Sequence, residues 1–204
     1  MFHDFPSDFF LDMQRLGNRS RLYKQMDKVI EHLIAGCRRR DRNAQLGLYE
    51  RYVRALYATC LRIVVDPREA EEAMQDAFLK IFTHIEEYSG EASDAFEAWM
   101  RQIAVRTAID HVRREEPEWE ELPANWAIAD EEEPDEDAVH YSVERVKRAM
   151  GMLPAGYRVV LSLYLFEGYD LEEIAVILRL RPASVRSQYL RAKRKLIDIV
   201  NKEG

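Results

Sequence analysis

Cysteine is almost absent from this sequence, and residues that could bind a metal ion are sparse. Its two cysteines, Cys37 and Cys60, lie in helical patterns without the Cys-x-x-Cys spacing of zinc and redox motifs. The five histidines are scattered along the chain. The sequence therefore predicts no metal site and no cofactor, and we interpret both cysteines as small buried side chains.

Long apolar runs and the alternating pattern of β-strands are also missing. No uninterrupted apolar stretch approaches the length that crosses a membrane, and no basic leader with an apolar run and a cleavage site is found near the N-terminus. Apolar residues recur at spacings of three and four almost throughout. We therefore expect an all-α protein that is soluble, cytoplasmic and not inserted in a membrane.

Positive charge is in deficit overall, but the deficit comes from one segment. The formal net charge is −7, and residues 115–137 carry twelve carboxylates and no lysine or arginine. The remaining chain has 30 basic and 25 acidic residues, a net charge of +5, so the overall sign does not exclude nucleic acid as a partner. The segment also holds Pro117, Pro123 and Pro134 and lacks helical periodicity, which predicts a flexible acidic linker.

The position of the linker divides the chain into two predicted helical units of unequal size. Residues 26–114 form the first unit, residues 115–137 the linker and residues 138–204 the second unit. Residues 1–25 are an N-terminal extension whose role the sequence leaves open. Because the linker carries many like charges, we expect it to keep the two units apart and mobile in the free protein.

A strong helix start in the first unit lies at Asp66-Pro67-Arg68-Glu69. Asp66 can cap the helix, Pro67 suits its first position and Glu69 can complete a capping box. The apolar stripe predicted to face inward comprises Ala70, Ala73, Met74, Ala77, Ile81 and Ile85. The polar outer row, which spacing alone explains as a solvated face, comprises Glu71, Glu72, Gln75, Asp76 and Lys80.

A polar turn from Tyr88 to Asp94 leads into a helix predicted to begin near Ala95. Its inward residues are predicted to be Phe96, Trp99, Met100, Ile103 and Thr107. Its other face could bind the backbone of single-stranded DNA, although solvated arginines explain the pattern equally well. The residues of that face are Gln102, Arg106, Asp110 and Arg113, with Arg101 and Arg114 nearby.

The sharpest local signal is a pair of short helices in the second unit. A capping box from Asp170 to Glu173 opens the first helix, and Pro182 can open the next after a break at Arg179-Leu180-Arg181. This spacing is typical of a helix-turn-helix, whose second helix lies in the major groove of DNA. The inward residues of the second helix are predicted to be Val185, Tyr189, Ala192 and Leu196. The outward residues are predicted to be Arg186, Ser187, Leu190 and Arg191.

The outward residues suit the reading of base edges. Arginine pairs with guanine or phosphate, serine with either, and an exposed leucine with a thymine methyl group. Eight basic residues and one acidic residue lie between Arg179 and Lys202. This imbalance favours DNA binding over a merely solvated helix, because neutralised phosphates release counterions.

Together these segments resemble the extracytoplasmic-function (ECF) sigma factors of bacterial RNA polymerase, in the sigma-70 family. Residues 44–82 are similar to regions 2.1 and 2.2 of the family, 95–114 to regions 2.3 and 2.4, and 153–196 to region 4. The order of the motifs, with an acidic linker between them, is highly specific. The resemblance implies a region 2 bundle and a region 4 helix-turn-helix domain, in a protein that is not an enzyme.

The resemblance also implies partners and roles for individual residues. The partners would be RNA polymerase core, at its largest-subunit clamp and its flap, promoter DNA and an anti-sigma factor. The residues that would bind the core are Glu72, Gln75, Asp76 and Leu79. Those that would bind the −10 element, with one base flipped out, are Tyr88, Ser89, Gly90, Ser93, Arg101, Arg106, Asp110 and Arg113. Those that would read the −35 element are Arg181, Ser184, Arg186, Ser187, Leu190 and Arg191.

Two positions carry specific expectations. Tyr88 could stack on a base or could anchor its loop to the core. Members of the family often have glycine at the turn of the region 4 motif, whereas this chain has Arg179, which must adopt the backbone that the turn requires.

Two other classes of protein are alternatives. A helix-turn-helix regulator, with N-terminal helices that sense a ligand or dimerise, would bind duplex DNA alone as a symmetric dimer, whereas a sigma factor would be a monomer that needs core enzyme. A carboxylate-rich helical metalloenzyme would need Glu-x-x-His pairs, and the sequence contains none.

Overall fold

A computed structural model describes residues 28–90, 93–115 and 143–202, with only the backbone described at 93–94 and 143–144. The N-terminal extension and nearly all of the acidic linker lie outside the described residues. Within them all regular structure is helical, which confirms the all-α prediction. None of the described helices is both long enough and apolar enough to span a membrane.

Each unit is a small helical bundle. The helices of the first unit are α1 (28–38), α2 (Arg42–Val64), α3 (Pro67–His84) and α4 (Ser93–Glu115). Those of the second unit are α5 (Val143–Gly151), α6 (Ala155–Leu165), α7 (Leu171–Leu178) and α8 (Pro182–Lys202). In the first unit α2, α3 and α4 pack against one another, and in the second unit α8 packs on α5, α6 and α7.

The helix starts agree with the sequence signals, with one exception. Asp66 Oδ1 accepts hydrogen bonds from the backbone amides of Arg68 (2.9 Å) and Glu69 (3.1 Å), and Pro67 is the first residue of α3. The predicted capping box at Asp66 is wrong, because the Glu69 carboxylate turns toward His111 on α4. The capping box of α7 is complete. Asp170 Oδ1 accepts a hydrogen bond from the Glu173 amide at 2.7 Å, and Glu173 Oε2 accepts one from the Asp170 amide at 2.9 Å.

The inward faces are also as predicted. The whole apolar stripe of α3 is buried, together with Phe78, which the spacing argument left out. On α4, which begins at Ser93, two residues before Ala95, the inward residues are buried or half-buried. Cys37 and Cys60 are buried, and burial raises their thiol pKa values to about 11 and about 12. They are therefore unreactive thiols at neutral pH.

The two units pack directly against each other, which contradicts the expectation that the linker keeps them apart. Helix α6 crosses α2, and one continuous apolar core contains Ile63 of α2 together with Val159 and Leu163 of α6. The expectation was wrong because it considered only repulsion within the linker, whereas the outcome depends on the surfaces that meet. We call this packing the closed arrangement.

Helices α1 and α7 end in the same way, with an arginine in the left-handed conformation. The amide of Arg40 (φ 60°) bonds to the Cys37 carbonyl at 2.9 Å, and the next amide bonds to the Gly36 carbonyl at 3.0 Å. Around Arg179 (φ 57°) the same two bonds recur, to Val176 and Ala175. This is the Schellman motif, which usually has glycine at the left-handed position. Arg179 therefore adopts the backbone expected of the turn.

Candidate protein and nucleic-acid interfaces

The outer face of α3 combines acidic groups with one exposed apolar side chain. Glu72 and Gln75 are exposed and Asp76 is half-buried, while Leu79 has 66% of its surface exposed. An exposed apolar side chain next to polar groups can contribute to a protein-binding surface. The four residues predicted to bind protein therefore share one accessible face.

His111 of α4 lies beside this face and was missed from the sequence. Its Nε2 is 3.1 Å from Asp76 Oδ2 and its Nδ1 is 3.6 Å from Glu69 Oε2, with the histidine itself buried. A polar cleft of about 280 Å³ is lined by Glu69, Glu72, Gln75, Asp76, His111, Arg114 and Glu115. A signal existed in the sequence, because His111 follows the inward Thr107 by four residues and so lies on the same side of α4.

Tyr88 is part of the apolar core of the first unit. Its ring packs on Phe96 and Trp99, with centroid distances of 5.0 and 5.4 Å, and Arg38 Nη2 donates to its backbone carbonyl at 2.5 Å. Burial raises the pKa of its hydroxyl group, against the opposing charge of Arg38. Of the two roles left open for Tyr88, the anchoring role fits this position, and the ring offers no free face for stacking on a base.

The turn after Tyr88 is shorter than predicted. Ser89 and Gly90 are exposed, whereas Ser93 is the first residue of α4, and residues 91–92 lie outside the described part of the chain. A Cβ atom on Gly90 would lie 2.3 Å from the Tyr88 hydroxyl oxygen, so a larger residue would displace the tyrosine. Gly90 is therefore required for the close approach of the turn to its own anchor.

The predicted cationic face of α4 exists. Arg101, Arg106 and Asp110 are exposed and Arg113 is half-buried. Asp110 Oδ atoms lie 3.9 Å from Lys80 Nζ and 3.8 Å from an Arg113 nitrogen. These long, exposed ion pairs contribute little to stability, so Asp110 tempers the positive charge of the face without removing it.

The second unit covers part of this cationic face. Arg113 Nη2 donates to the Leu178 carbonyl at the end of α7, at 3.0 Å, and Arg101 Nε is 3.7 Å from Glu167 Oε2. Burial, followed by the charge of Glu167, raises the pKa of the Tyr169 hydroxyl group. Arg101 and Arg106 lower this pKa, but by less, so both arginines lie close enough to Tyr169 to affect it. The α6–α7 loop and the end of α7 therefore lie over the arginines of α4.

Glu167 is the polar centre of the contact between the units. Its side chain is 2% exposed, and its Oε1 accepts hydrogen bonds from Arg62 Nη2 (2.5 Å) and Thr59 Oγ1 (3.2 Å) of α2. With Arg101 on the other carboxylate oxygen, two arginines of the first unit compensate one buried carboxylate of the second. A buried charge is tolerated only with such partners, so this contact is specific to the closed arrangement.

Two further side chains bond the units together. Arg158 of α6 is buried, and its Nε donates to the Ile63 carbonyl at 3.0 Å. Ser162 Oγ donates to the Arg62 carbonyl, also at 3.0 Å. Both acceptors belong to the last turn of α2, whose carbonyl groups have no partner within the helix. The second unit thus caps the C-terminal end of α2.

The predicted outward face of α8, with Arg181 just before it, is partly accessible. Arg181 and Arg186 are exposed, and the half-buried members of the set are Ser184, Ser187, Leu190 and Arg191. Arg186 Nη2 lies 3.5 Å from Glu172 Oε1 in an exposed pair that is easily exchanged for another anion. The inward residues are buried or half-buried as predicted, and the buried Gln188 was missed.

Comparison with known proteins identifies both units. Residues 48–118 match Sigma-70 region 2, and residues 143–196 match Sigma-70, region 4. The chain is 29% identical to the RNA polymerase sigma-H factor of Pseudomonas aeruginosa over 179 residues, which is 82% of this chain and 91% of the relative. It is 25% identical to the ECF RNA polymerase sigma factor SigW of Bacillus subtilis over 183 residues, 84% and 96% of the two chains.

The fold is similar to that of a solved protein. The sigma factor RpoE of Bartonella quintana, whose structure was solved in complex with the anti-sigma factor NepR, superimposes with a TM-score of 0.51 and 19% identity. The match covers 76% of this chain and 95% of that protein.

Proposed function

We propose that promoter recognition is divided between the two units of this chain, which belongs to the ECF group of the sigma-70 family. The protein is a sigma factor that binds RNA polymerase core and directs promoter recognition and DNA melting at initiation. In our proposal residues 26–114 bind the core and the −10 element, and residues 138–204 bind the −35 element. The observation that carries this division is that one chain holds both matched regions, each with an exposed polar face.

The core-binding surface is the outer face of α3. Leu79 supplies an exposed apolar contact, and Glu72, Gln75 and Asp76, toward the N-terminal side of α3, supply the polar groups that would meet the polymerase clamp. His111 acts as a positioning residue, because its contact at 3.1 Å restricts the rotamers of Asp76 before the partner arrives.

The −10 surface combines the turn at Ser89 and Gly90 with the arginines of α4. Extruding a base from the stack costs a few kcal/mol, which backbone groups of the turn and arginine contacts to the strand would partly offset. Tyr88 contributes indirectly, since its buried ring fixes the position from which the turn projects.

The −35 surface is the outward face of α8, which would enter the major groove. Arg186 and Arg191 would contact guanine edges or phosphates, and Leu190 a thymine methyl group. Arg181 and the two serines of the set would contact the flanking backbone and base edges.

The closed arrangement implies a step between core binding and DNA binding. Arg101 and Arg113 already contact the second unit, and a DNA strand cannot reach them fully while α7 and its preceding loop remain there. We infer that the units separate when the two binding surfaces of core engage them. The acidic linker is long enough in sequence to permit this, at 23 residues from 115 to 137.

Further partners follow from the relatives. Because the Bartonella relative was solved with an anti-sigma factor, we propose that this chain also has one, which would act by holding the units away from core. We also propose that the chain acts in the cytoplasm, where polymerase works, and that it catalyses no reaction of its own.

The proposal is tested by run-off transcription with purified bacterial core and a promoter library. We expect transcripts from promoters with paired −35 and −10 elements, and none from core alone. The runner-up, a helix-turn-helix regulator that acts without polymerase, predicts instead a symmetric dimer that binds duplex DNA by itself. Absence of core binding together with such a dimer would overturn the proposal.

A further inference from the structure

A cluster of arginines at the turn between α1 and α2 is not accounted for by the surfaces described above. The turn contains Arg38, Arg39, Arg40 and Arg42 with one carboxylate, Asp41, so its net charge is +3. All five side chains are exposed. We call residues 38–42 the arginine turn.

The arginine turn is hydrogen-bonded to residues just before the turn at Ser89 and Gly90, which we call the −10 turn. Arg38 Nη2 donates to the Tyr88 carbonyl at 2.5 Å and its Nε to the Ile85 carbonyl at 3.5 Å. Ser89 and Gly90 follow Tyr88 immediately in the chain and are exposed. A strand whose base entered the −10 turn would therefore pass next to the remaining arginines.

The turn is rigid before any ligand binds. Two Schellman bonds close the end of α1, and Asp41 Oδ1 accepts the Asn43 amide at 2.8 Å as the N-cap of α2. Gly36 allows the two helices to approach closely, because a Cβ atom there would lie 2.4 Å from the Ala44 Cβ. The backbone that carries the arginines is thus held in place, so the entropic cost of binding an anion is confined to their side chains.

Arg40 occupies a position that disfavours it. Its φ of 60° is the left-handed conformation, where glycine avoids the steric cost of a Cβ atom. The chain does use glycine at another left-handed position, Gly168 (φ 76°). The backbone of the turn therefore gains no conformational advantage from an arginine at this position.

The acidic side chains of the described residues do not neutralise these arginines. Arg39, Arg40 and Arg42 make no ion pair with any described residue, and the charge of Asp41 is directed at the start of α2. Three guanidinium groups at neighbouring positions, without an ion-pair partner among the described residues, can each bind a separate phosphate group.

We propose that the arginine turn binds the phosphates of the promoter strand adjacent to the nucleotide held by the −10 turn. The ligand is the DNA backbone, so the contact adds affinity and fixes the path of the strand without reading its sequence. This inference rests on the proposed function of the −10 turn and extends that surface across α1 and α2.

The test uses holoenzyme reconstituted from core and the full chain, with a labelled single-stranded −10 oligonucleotide as the probe. The variants are Arg39→Gln, Arg40→Gly, Arg42→Gln and the triple variant. We expect the slope of log affinity against log salt concentration to become shallower by about 0.7 for each arginine removed, and by about 2 in the triple variant. A duplex of the same length without a −10 element measures binding that is independent of the melted strand.

Arg40→Gly separates a ligand-binding role from a structural one. Because glycine suits the left-handed position, this variant should unfold at a higher urea concentration while it binds the probe less tightly. Arg54→Gln is the matched control, since Arg54 is exposed on α2 about 18 Å along the helix from Arg42. It removes the same charge and should leave the salt dependence for the probe unchanged.

The outcomes distinguish a failure of the proposed phosphate site from a failure of the proposed function. If the parent holoenzyme binds the probe and the triple variant shows the same slope as the parent, the arginine turn is not a phosphate site and the proposed function stands. The same conclusion follows if Arg54→Gln changes the slope as much as each turn variant does, because the effect is then one of net charge. If the parent holoenzyme fails to bind promoter DNA at all, the proposed function itself is wrong.

Discussion

Glu167 offers the most direct test of the closed arrangement. Replacing it with glutamine keeps its size but removes the charge that compensates Arg62 and Arg101. The glutamine could still accept a hydrogen bond from Thr59, so the change reports mainly on the ionic part of the contact. We expect Glu167→Gln to weaken the packing of the two units without unfolding either of them.

The expected magnitude follows from the burial of the partners. Removing one partner of a fully buried ion pair costs about 3–5 kcal/mol, because the other charge is left without compensation. Here the carboxylate is 2% exposed, but the Arg62 side chain is 33% exposed and Arg101 47%, so water takes over part of their solvation. We therefore expect a loss of about 2 kcal/mol, which raises the ratio of open to closed molecules about 30-fold.

The assay is the distance between one dye on each unit, measured in single molecules. Glu50→Cys on α2 and Lys195→Cys on α8 give exposed labelling positions. Native Cys37 and Cys60 are buried, with pKa values of about 11 and about 12, so they should not react with the dye near neutral pH. We expect a single short-distance population in the parent and a growing long-distance population in Glu167→Gln.

Glu172→Gln is the control for the loss of one negative charge from the second unit. Glu172 is 65% exposed and lies outside the contact between the units, so its distance distribution should equal that of the parent. An unchanged distribution in Glu167→Gln would refute the reasoning, because it would show that the Arg62 and Arg101 contacts do not hold the units together.

Four further predictions follow from the described contacts. Gly90→Ala should displace Tyr88 and change the emission of the adjacent Trp99, and it should reduce −10 selectivity in transcription while core affinity is retained. Arg186→Ala and Arg191→Ala should each weaken −35 binding by about 1–3 kcal/mol if they contact bases, whereas an equal loss on every −35 sequence would indicate phosphate contacts. In a titration with core, His111→Ala should lose more binding affinity than His111→Asn, because asparagine can still donate to Asp76. An equal loss of affinity in the two variants would show that His111 only packs against its neighbours. Burial raises the thiol pKa of both cysteines, so the unfolded thiols ionise at a lower pH than the folded ones. The free energy of unfolding should therefore fall as the pH rises from about 9 toward about 12. Cys60→Ala should reduce this fall when the free energy is measured by urea unfolding at each pH.

The helices and their faces could be predicted because their signals are local. The box from Asp170 to Glu173 and the stripe of α3 depend on residues within about four helical turns of one another. The division of α8 into two faces is local in the same sense, since one helical period separates its inward and outward residues. The ending of α7 at Arg179 could be expected for the same reason, from its place in the turn.

The contact between the units could not be predicted in this way. Glu167 follows an exposed Phe166, and nothing in its surroundings along the chain shows that Thr59 and Arg62, more than a hundred residues away, complete its hydrogen bonds. The role of His111 was missed for a related reason, since its partners Glu69 and Asp76 lie on another helix. Charge repulsion in the linker was a real local signal, but it said nothing about which surfaces of the two units fit together.

If the α4 arginines bind DNA as proposed, their covering by the second unit would affect how the protein is distributed in a cell. A bacterial chromosome offers about a million or more non-specific sites, and an exposed cationic face binds them through phosphates alone. If only a small fraction of free molecules have the units apart, the apparent affinity of that face for random DNA falls by the same fraction. Free sigma factor is then not titrated onto the chromosome, and newly made molecules remain available to compete for the limited supply of core polymerase.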